Sequence, residues 1–254
     1  MNKINVVDNK IIPFDNTDVI LNNNIITFTN SGDYYLEYIT SDNVNITINI
    51  EDNVCVQLFE YSNNNDINTN ITYNLGKNSS LIISKFYYND NTNEEINIYL
   101  NKKNANIKYN FSSISNNDNF YKINVYHLDN NTSSDVFNRI VAKENSSNYF
   151  DINSYVDNGI KDCYLNQSTK IVTLGDSDNR VNPNMFISEE DVTAIHSSTI
   201  GSINEEDLFY LMSRGISYND SVKLIIKGMI LSNINPDMEN MERILSILDS
   251  IGGE

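Results

Sequence analysis

Val44-Asn45-Ile46-Thr47-Ile48-Asn49-Ile50 sets an apolar side chain at every second position and a polar one between. A period of two belongs to a β-strand with one buried face, because successive side chains leave a pleated chain on opposite sides. The same alternation returns at residues 55–61, 67–75, 96–100, 107–111 and 121–127, between turns rich in Asn, Asp, Ser and Gly. Strands are therefore expected from about residue 18 to residue 190, with Cys55 a core residue of its strand. Their spacing of about ten residues suits a sandwich, a barrel or a solenoid equally. Turns of variable length, and internal Asn able to stack between coils, lean toward a parallel β-helix.

Composition bounds the function. The 254 residues carry a formal net charge of −17, which argues against nucleic-acid binding, since that needs clustered Lys and Arg to displace counterions. No run approaches the ~18 apolar residues of a membrane helix, and the first residues show no apolar stretch of a secretory signal. Cys55 and Cys163 are the two cysteines, too few for a disulfide framework or a self-sufficient cysteine metal site, so a reducing cytoplasm is expected. Asn supplies roughly one residue in five or six, so the many Asn-x-Ser/Thr triplets arise by chance. No phosphate-binding Gly loop, Ser nucleophile elbow or His-Glu-x-x-His is present, and the chain is not expected to be an enzyme. A carboxylate pair in a β-helix groove could still mark a carbohydrate-active enzyme or adhesin, although the lack of Trp weakens sugar binding.

Near residue 200 the patterning changes from strand to helix, which divides the chain into a β domain, 1–200, and a helical domain, 201–254. Helices are expected at 205–213, 218–231 and 236–251. Asn204 is placed to cap the first, whose opening Glu205-Glu206-Asp207 suits the positive end of the helix dipole, and Gly215 to stop it. Ser217 with Asp220 forms a capping box for the second. Pro236 opens the third, Met238, Met241, Ile244, Leu245, Leu248 and Ile251 form its face, and Gly252-Gly253 ends it. In the first helix Leu208, Leu211 and Met212 recur at helical spacing, and Phe209 and Tyr210 then make it apolar nearly all round. Such a helix wants a second surface, and an associated protein is the natural candidate.

The order of residues is most distinctive at His196-Ser197-Ser198-Thr199-Ile200-Gly201, read as a short turn, followed by 202–216 with Leu208-Phe209-Tyr210 and Ser213-Arg214-Gly215-Ile216. This phrase resembles the C-terminal signature of the SufB/SufD family, the scaffold proteins of iron–sulfur cluster assembly. Val172-Thr173-Leu174-Gly175, Asn182-Pro183-Asn184-Met185-Phe186-Ile187 and Glu190-Asp191-Val192 resemble strands that precede it, and His127 with 131–134 looks like a His…Ser strand pair. The resemblance settles the architecture as a right-handed parallel β-helix followed by a small C-terminal α-helical domain. It implies a minimal, SufD-like form without the long N-terminal helical region of many members.

The resemblance also implies roles. His196 stands where SufD-like members carry a histidine proposed to hold a nascent cluster at a subunit interface. The Glu that follows this histidine in SufB-like members is Ser197 here, and the slot for their Cys, at 167–169, holds none. Cys163 lies six residues before it and makes a poor substitute ligand. His127 reads as a structural residue, with no metal-ligand spacing to another candidate. Leu208, Phe209, Tyr210, Arg214, Gly215 and Ile216 would dock an ABC-type ATPase like SufC, with a SufB/SufD-like subunit or a second copy meeting the β-helix. A transient iron–sulfur cluster would form at that interface and none would bind stably to the isolated chain. A paralogue that only completes the complex, without cluster chemistry, is the alternative within the family.

Overall fold

The computed structural model describes residues 2–7, 9–12, 18–39 and 43–251. Its first strands are β1 (Asn2–Val7), β2 (Lys10–Ile11), β3 (Val19–Asn22) and β4 (Ile25–Phe28). Next come β5 (Gly32–Tyr38), β6 (Asn43–Ile50), β7 (Cys55–Ser62), β8 (Asp66–Leu75) and β9 (Ser80–Tyr87). Then follow β10 (Asn91–Leu100), β11 (Asn106–Ser115), β12 (Asp118–His127) and β13 (Ser133–Ala142). The last are β14 (Ser147–Val156), β15 (Cys163–Thr173), β16 (Asp178–Ile187) and β17 (Val192–Ser202). From β4 onward each strand pairs in parallel with the strand two further along, so the chain coils between two sheets as a parallel β-solenoid. One sheet has nine strands and ends at β17, and the other has eight and ends at β16.

The asparagine excess has a structural use. Asn53, Asn78, Asn104 and Asn131, with Asp162, occupy successive coils at one corner, all at positive φ between 55° and 64°. Asn and Asp tolerate this left-handed region better than other non-glycine residues. Each donates its backbone N–H to a carbonyl of the next coil, as Asn78 does to Lys103 at 3.0 Å. The side chains ladder as well, Asn78 to Asn53 at 2.9 Å and Asn104 to Asn78 at 2.8 Å. On the outer face of the eight-stranded sheet Asn124, Asn153 and Asn184 continue such a ladder. Beside it Tyr99, Tyr126, Tyr155 and Phe186 stack ring on ring at 4.7 to 4.9 Å.

The lumen is filled by the inward half of each alternating pattern. Ile46, Ile48, Ile71, Ile96, Ile98, Ile123 and Ile152 are fully buried there. At about 25 cal/mol per Å² of apolar surface, the continuous core formed by successive coils is the main stabilising contribution.

Three helices return along the outside of the nine-stranded sheet. They are α1 (Glu205–Ser213), α2 (Tyr218–Leu231) and α3 (Met238–Ser250). Val222, Ile226, Ile230, Ile244 and Leu248 pack with Tyr35, Phe59, Tyr61, Phe86, Ile114 and Val141, the outward residues of the strands beneath. Asn233 on the α2–α3 link donates to the carbonyls of Phe111 and Phe137, and Arg243 reaches Glu37 at 2.7 Å and Tyr35 at 3.0 Å. Its guanidinium also lies 4.0 Å from the Tyr61 ring centroid, so α3 is fastened to the first coils. No helix of the described residues is long and apolar enough to cross a membrane.

The helix caps follow the sequence reading at Asn204, Ser217 and Gly215, the last at φ +85°. Other expectations need correction. Strands begin at Asn2 rather than near residue 18, because β1 and β3 each turn back in an antiparallel pair that caps the solenoid. Cys55 is exposed, since the inward positions of β7 are Val56, Leu58 and Glu60. The third helix starts after Asp237, whose side chain accepts from the Asn240 N–H, leaving Pro236 outside it. Met238 and Met212 are exposed rather than part of a packed face. Gly252 and Gly253 lie outside the described residues.

Candidate functional site

The expected turn at 196–201 is the middle of a strand. β17 runs from Val192 to Ser202 and pairs in parallel with β15 over its whole length. Ile195, Thr199 and Ile200 are β-branched and support an extended chain, a signal that the Gly and Ser content of the stretch obscures. With β17 and β16 the two sheets end, and both strands present an open edge. Pro183 sits within β16, a residue that sheets accept only at an edge or bulge.

His196 pairs in register with Gln167, which pairs with Val136, so His196 stands on the lumen-facing side of the final coil. Ala194, Ser198 and Ile200 share that side, each exposed although the residues in register one coil earlier, Leu165, Thr169 and Ile171, are buried. The last coil therefore turns the cross-section of the core toward solvent. Beneath His196 the lumen becomes polar. Gln167 donates to Ser154 Oγ at 2.8 Å, and Asn138 donates to Thr169 Oγ1 at 3.0 Å. The side-chain amide oxygens of Gln167 and Asn138 have no hydrogen-bond partner although both residues are buried. The positions 167–169 that the family resemblance links with a cysteine thus form the rung directly under His196, here as Gln167, Ser168 and Thr169.

Cys163 occupies another part of the coil. It is buried, pairs with Val192 and packs with Val156, Leu165 and Met185. Four residues along β15 separate it from Gln167, about 13 Å of extended chain. Its sulfur lies 3.3 Å from Thr132 Oγ1. That hydroxyl is 2.8 Å from His127 Nδ1, and His127 Nε2 is 2.9 Å from Ser134 Oγ. Burial holds His127 neutral by lowering its pKa to about 4. Both ring nitrogens are occupied, in keeping with a structural histidine. Among the described residues no three His, Cys, Asp or Glu side chains converge as a metal site.

The helical candidates form a second surface. Leu208 is half-buried against the helical core, while Phe209 is 76% and Tyr210 58% exposed. Arg214 places its guanidinium 5.3 Å from the Tyr210 ring centroid. Gly215 donates to the Met212 carbonyl and Ile216 to that of Leu211, a paired closure of the helix end that fixes Arg214 beside the aromatic pair. Leu174, Ile203, Leu208 and Val222 line an adjoining groove of about 550 Å³ where the last coil meets α1 and α2.

The model of the family described as "SUF system FeS cluster assembly, SufBD core domain" matches residues 19–229. The chain is similar to the iron–sulfur cluster assembly protein SufD of Bacillus subtilis, 30% identical over 96 residues, which cover 37% of this chain and 22% of that protein. It is 43% identical to SufD of Escherichia coli over 44 residues, covering 17% and 10% of the two chains. A SufBD family protein of Pyrococcus horikoshii is 54% identical over 35 residues, covering 14% and 8%. The aligned stretches thus span less than a quarter of these relatives' lengths. Because the family model covers most of the solenoid and two of the three helices, the chain belongs to the SufBD core family of iron–sulfur cluster assembly proteins.

Proposed function

We propose that the chain is a non-enzymatic scaffold subunit of a SUF-type assembly complex, with its open solenoid end as the assembly face and its helices as the dock for an ABC-type ATPase. The carrying observation is the final coil, where two long edge strands and an exposed core cross-section surround His196. An open strand edge presents unpaired N–H and C=O groups, and an exposed core invites burial. A second SufB/SufD-like subunit, or a second copy, meets both needs. The nascent cluster is cargo at that junction. His196 would supply one imidazole, and the remaining ligands would come from the partner subunit or from small thiols.

The ATPase dock rests on Phe209, Tyr210 and Arg214, an exposed aromatic pair beside a fixed guanidinium, with Leu208, Gly215 and Ile216 holding the helix end. Aromatic and Arg anchors of this kind carry much of the energy of protein interfaces, often ~2 kcal/mol or more each. Opening and closing of the ATPase would then act on helices that are fastened along the solenoid. A cytoplasmic location accords with the two unpaired cysteines.

The test is anaerobic reconstitution with iron and sulfide after co-expression with neighbouring SUF components. His196→Ala should lower cluster yield in the assembled complex while leaving subunit stoichiometry intact. An unchanged yield makes His196 a structural residue and the chain a subunit that only completes the complex.

A further inference from the structure

Of the two buried amide oxygens near the open end that lack a donor, one stands beside the last strand. Asn138 lies on β13, with β15 between it and β17. Gln167 lies on β15, next to β17, and is 1% exposed. Its amide nitrogen reaches the opposite sheet, donating to Ser154 Oγ on β14 at 2.8 Å and to the Asn184 carbonyl on β16 at 3.3 Å. Two bonds to one nitrogen fix the amide group, and with it the place of Oε1. A buried acceptor without a donor is unfavourable and uncommon, because it has given up water without replacement.

The side chain directly beside Gln167 on the open side is His196. The two are partners in register along a parallel ladder. Such neighbours project from the same face of strands about 4.8 Å apart, so side-chain rotation alone can bring a ring nitrogen to the amide oxygen. His196 is exposed, and among the described residues neither ring nitrogen has a hydrogen-bond partner. Ser198, on the same face, is in register with Thr169 and stands only diagonally to Gln167.

We propose that Gln167 is a positioning residue for His196: its Oε1 accepts one ring N–H once a partner subunit covers the open end. The other ring nitrogen is thereby left with its lone pair for the cluster. This inference rests on the open end being the assembly face. A neutral imidazole has one N–H and one lone pair, so the bond made by one nitrogen decides which nitrogen coordinates. Metal-bound histidines commonly give their other N–H to a carbonyl or carboxylate, which fixes the ring and raises its basicity. Covering the end takes water from the ring, and the bare Gln167 oxygen is the acceptor beside it.

The test uses the complex assembled with neighbouring SUF components and reconstituted anaerobically with iron and sulfide. Pulsed EPR of the reduced cluster reads the coupling of a coordinated imidazole nitrogen, and chelator competition reads how firmly the cluster is held. His196→Ala should remove the nitrogen coupling. Gln167→Met, similar in size but without the acceptor, should keep subunit stoichiometry, weaken retention about tenfold and change the coupling. Gln167→Glu, which restores an acceptor, should recover retention with a coupling shifted by its charge, and Ser198→Ala should match the unaltered complex. If His196→Ala leaves both readouts unchanged, the ligand reading of His196 falls and this proposal with it. If His196→Ala removes the coupling while Gln167→Met changes neither readout, the positioning role alone is overturned. Should Gln167→Met fail to assemble, an unshifted coupling in Gln167→Glu overturns the role.

Discussion

The two ends of the solenoid are built differently. At the first end β1 folds back on the two-residue β2, and β4 pairs with the four-residue β3, both antiparallel. Short outer strands are one of the devices by which proteins blunt a sheet edge. At the other end β16 and β17 are 10 and 11 residues long, and nothing among the described residues lies across them. A chain that caps one end and leaves the other long and open keeps its unpaired backbone groups at the end proposed above as the assembly face. The difference also explains why His196, on a lumen-facing column, is exposed while the residues in register below it are buried.

The sharpest way to break this comparison uses one inward column, Ile140, Ile171 and Ile200. Ile140→Ala should cost about 3 kcal/mol in urea unfolding, as for other fully buried aliphatic side chains. Ile200→Ala should cost less than about 0.5 kcal/mol in the isolated subunit and weaken assembly instead. Equal costs would mean that the end is closed in solution.

The two histidines sharpen it further. His127, buried and held at a pKa of about 4, should make stability pH-dependent. Between pH 6.5 and 4 the unfolded chain binds a proton that folded His127 refuses. Stability is therefore lost as pH falls through this window, by up to about 3 kcal/mol, and is flat above it for this group. His127→Asn should lack that increment in paired chemical-denaturation curves, and His196→Ala should retain it.

The helical return extends the contrast, because α3 is fastened to the closed end. Removing the guanidinium in Arg243→Ala takes away its bonds to Glu37 and Tyr35, and should cost about 1–2 kcal/mol. Hydrogen exchange should rise in α3 before it rises in the lumen strands. The smallest effect on stability is expected at Phe209→Ala, within about 0.5 kcal/mol, because the ring is exposed. The same variant should abolish co-purification with the ATPase. Undiminished pull-down of both Phe209→Ala and Arg214→Glu would restrict these residues to packing within the helix.

The sequence by itself determined the local structure. Alternation at 44–50 and 67–75 specifies strands with one buried face, since strand side chains have a strict period of two. Asn204, Ser217 and Gly215 specify helix ends, since capping is decided by the few residues around a terminus. Between a sandwich, a barrel and a solenoid the alternation was undecided, because all three bury one face of short strands; turn lengths and internal Asn leaned toward a solenoid, and family resemblance supplied the choice. Only the tertiary structure decided which face of each residue is in use. It turned Phe59 and Tyr61 outward under the helices and Glu60 inward to Lys85, against their hydrophobicity. It also drew the stretch around His196 into a strand, because the ladder with β15 outweighs the turn preference of its Ser and Gly. Register is a property of neighbouring coils 22 to 32 residues apart, so the rung that sets His196 above Gln167 exists only once the chain has coiled.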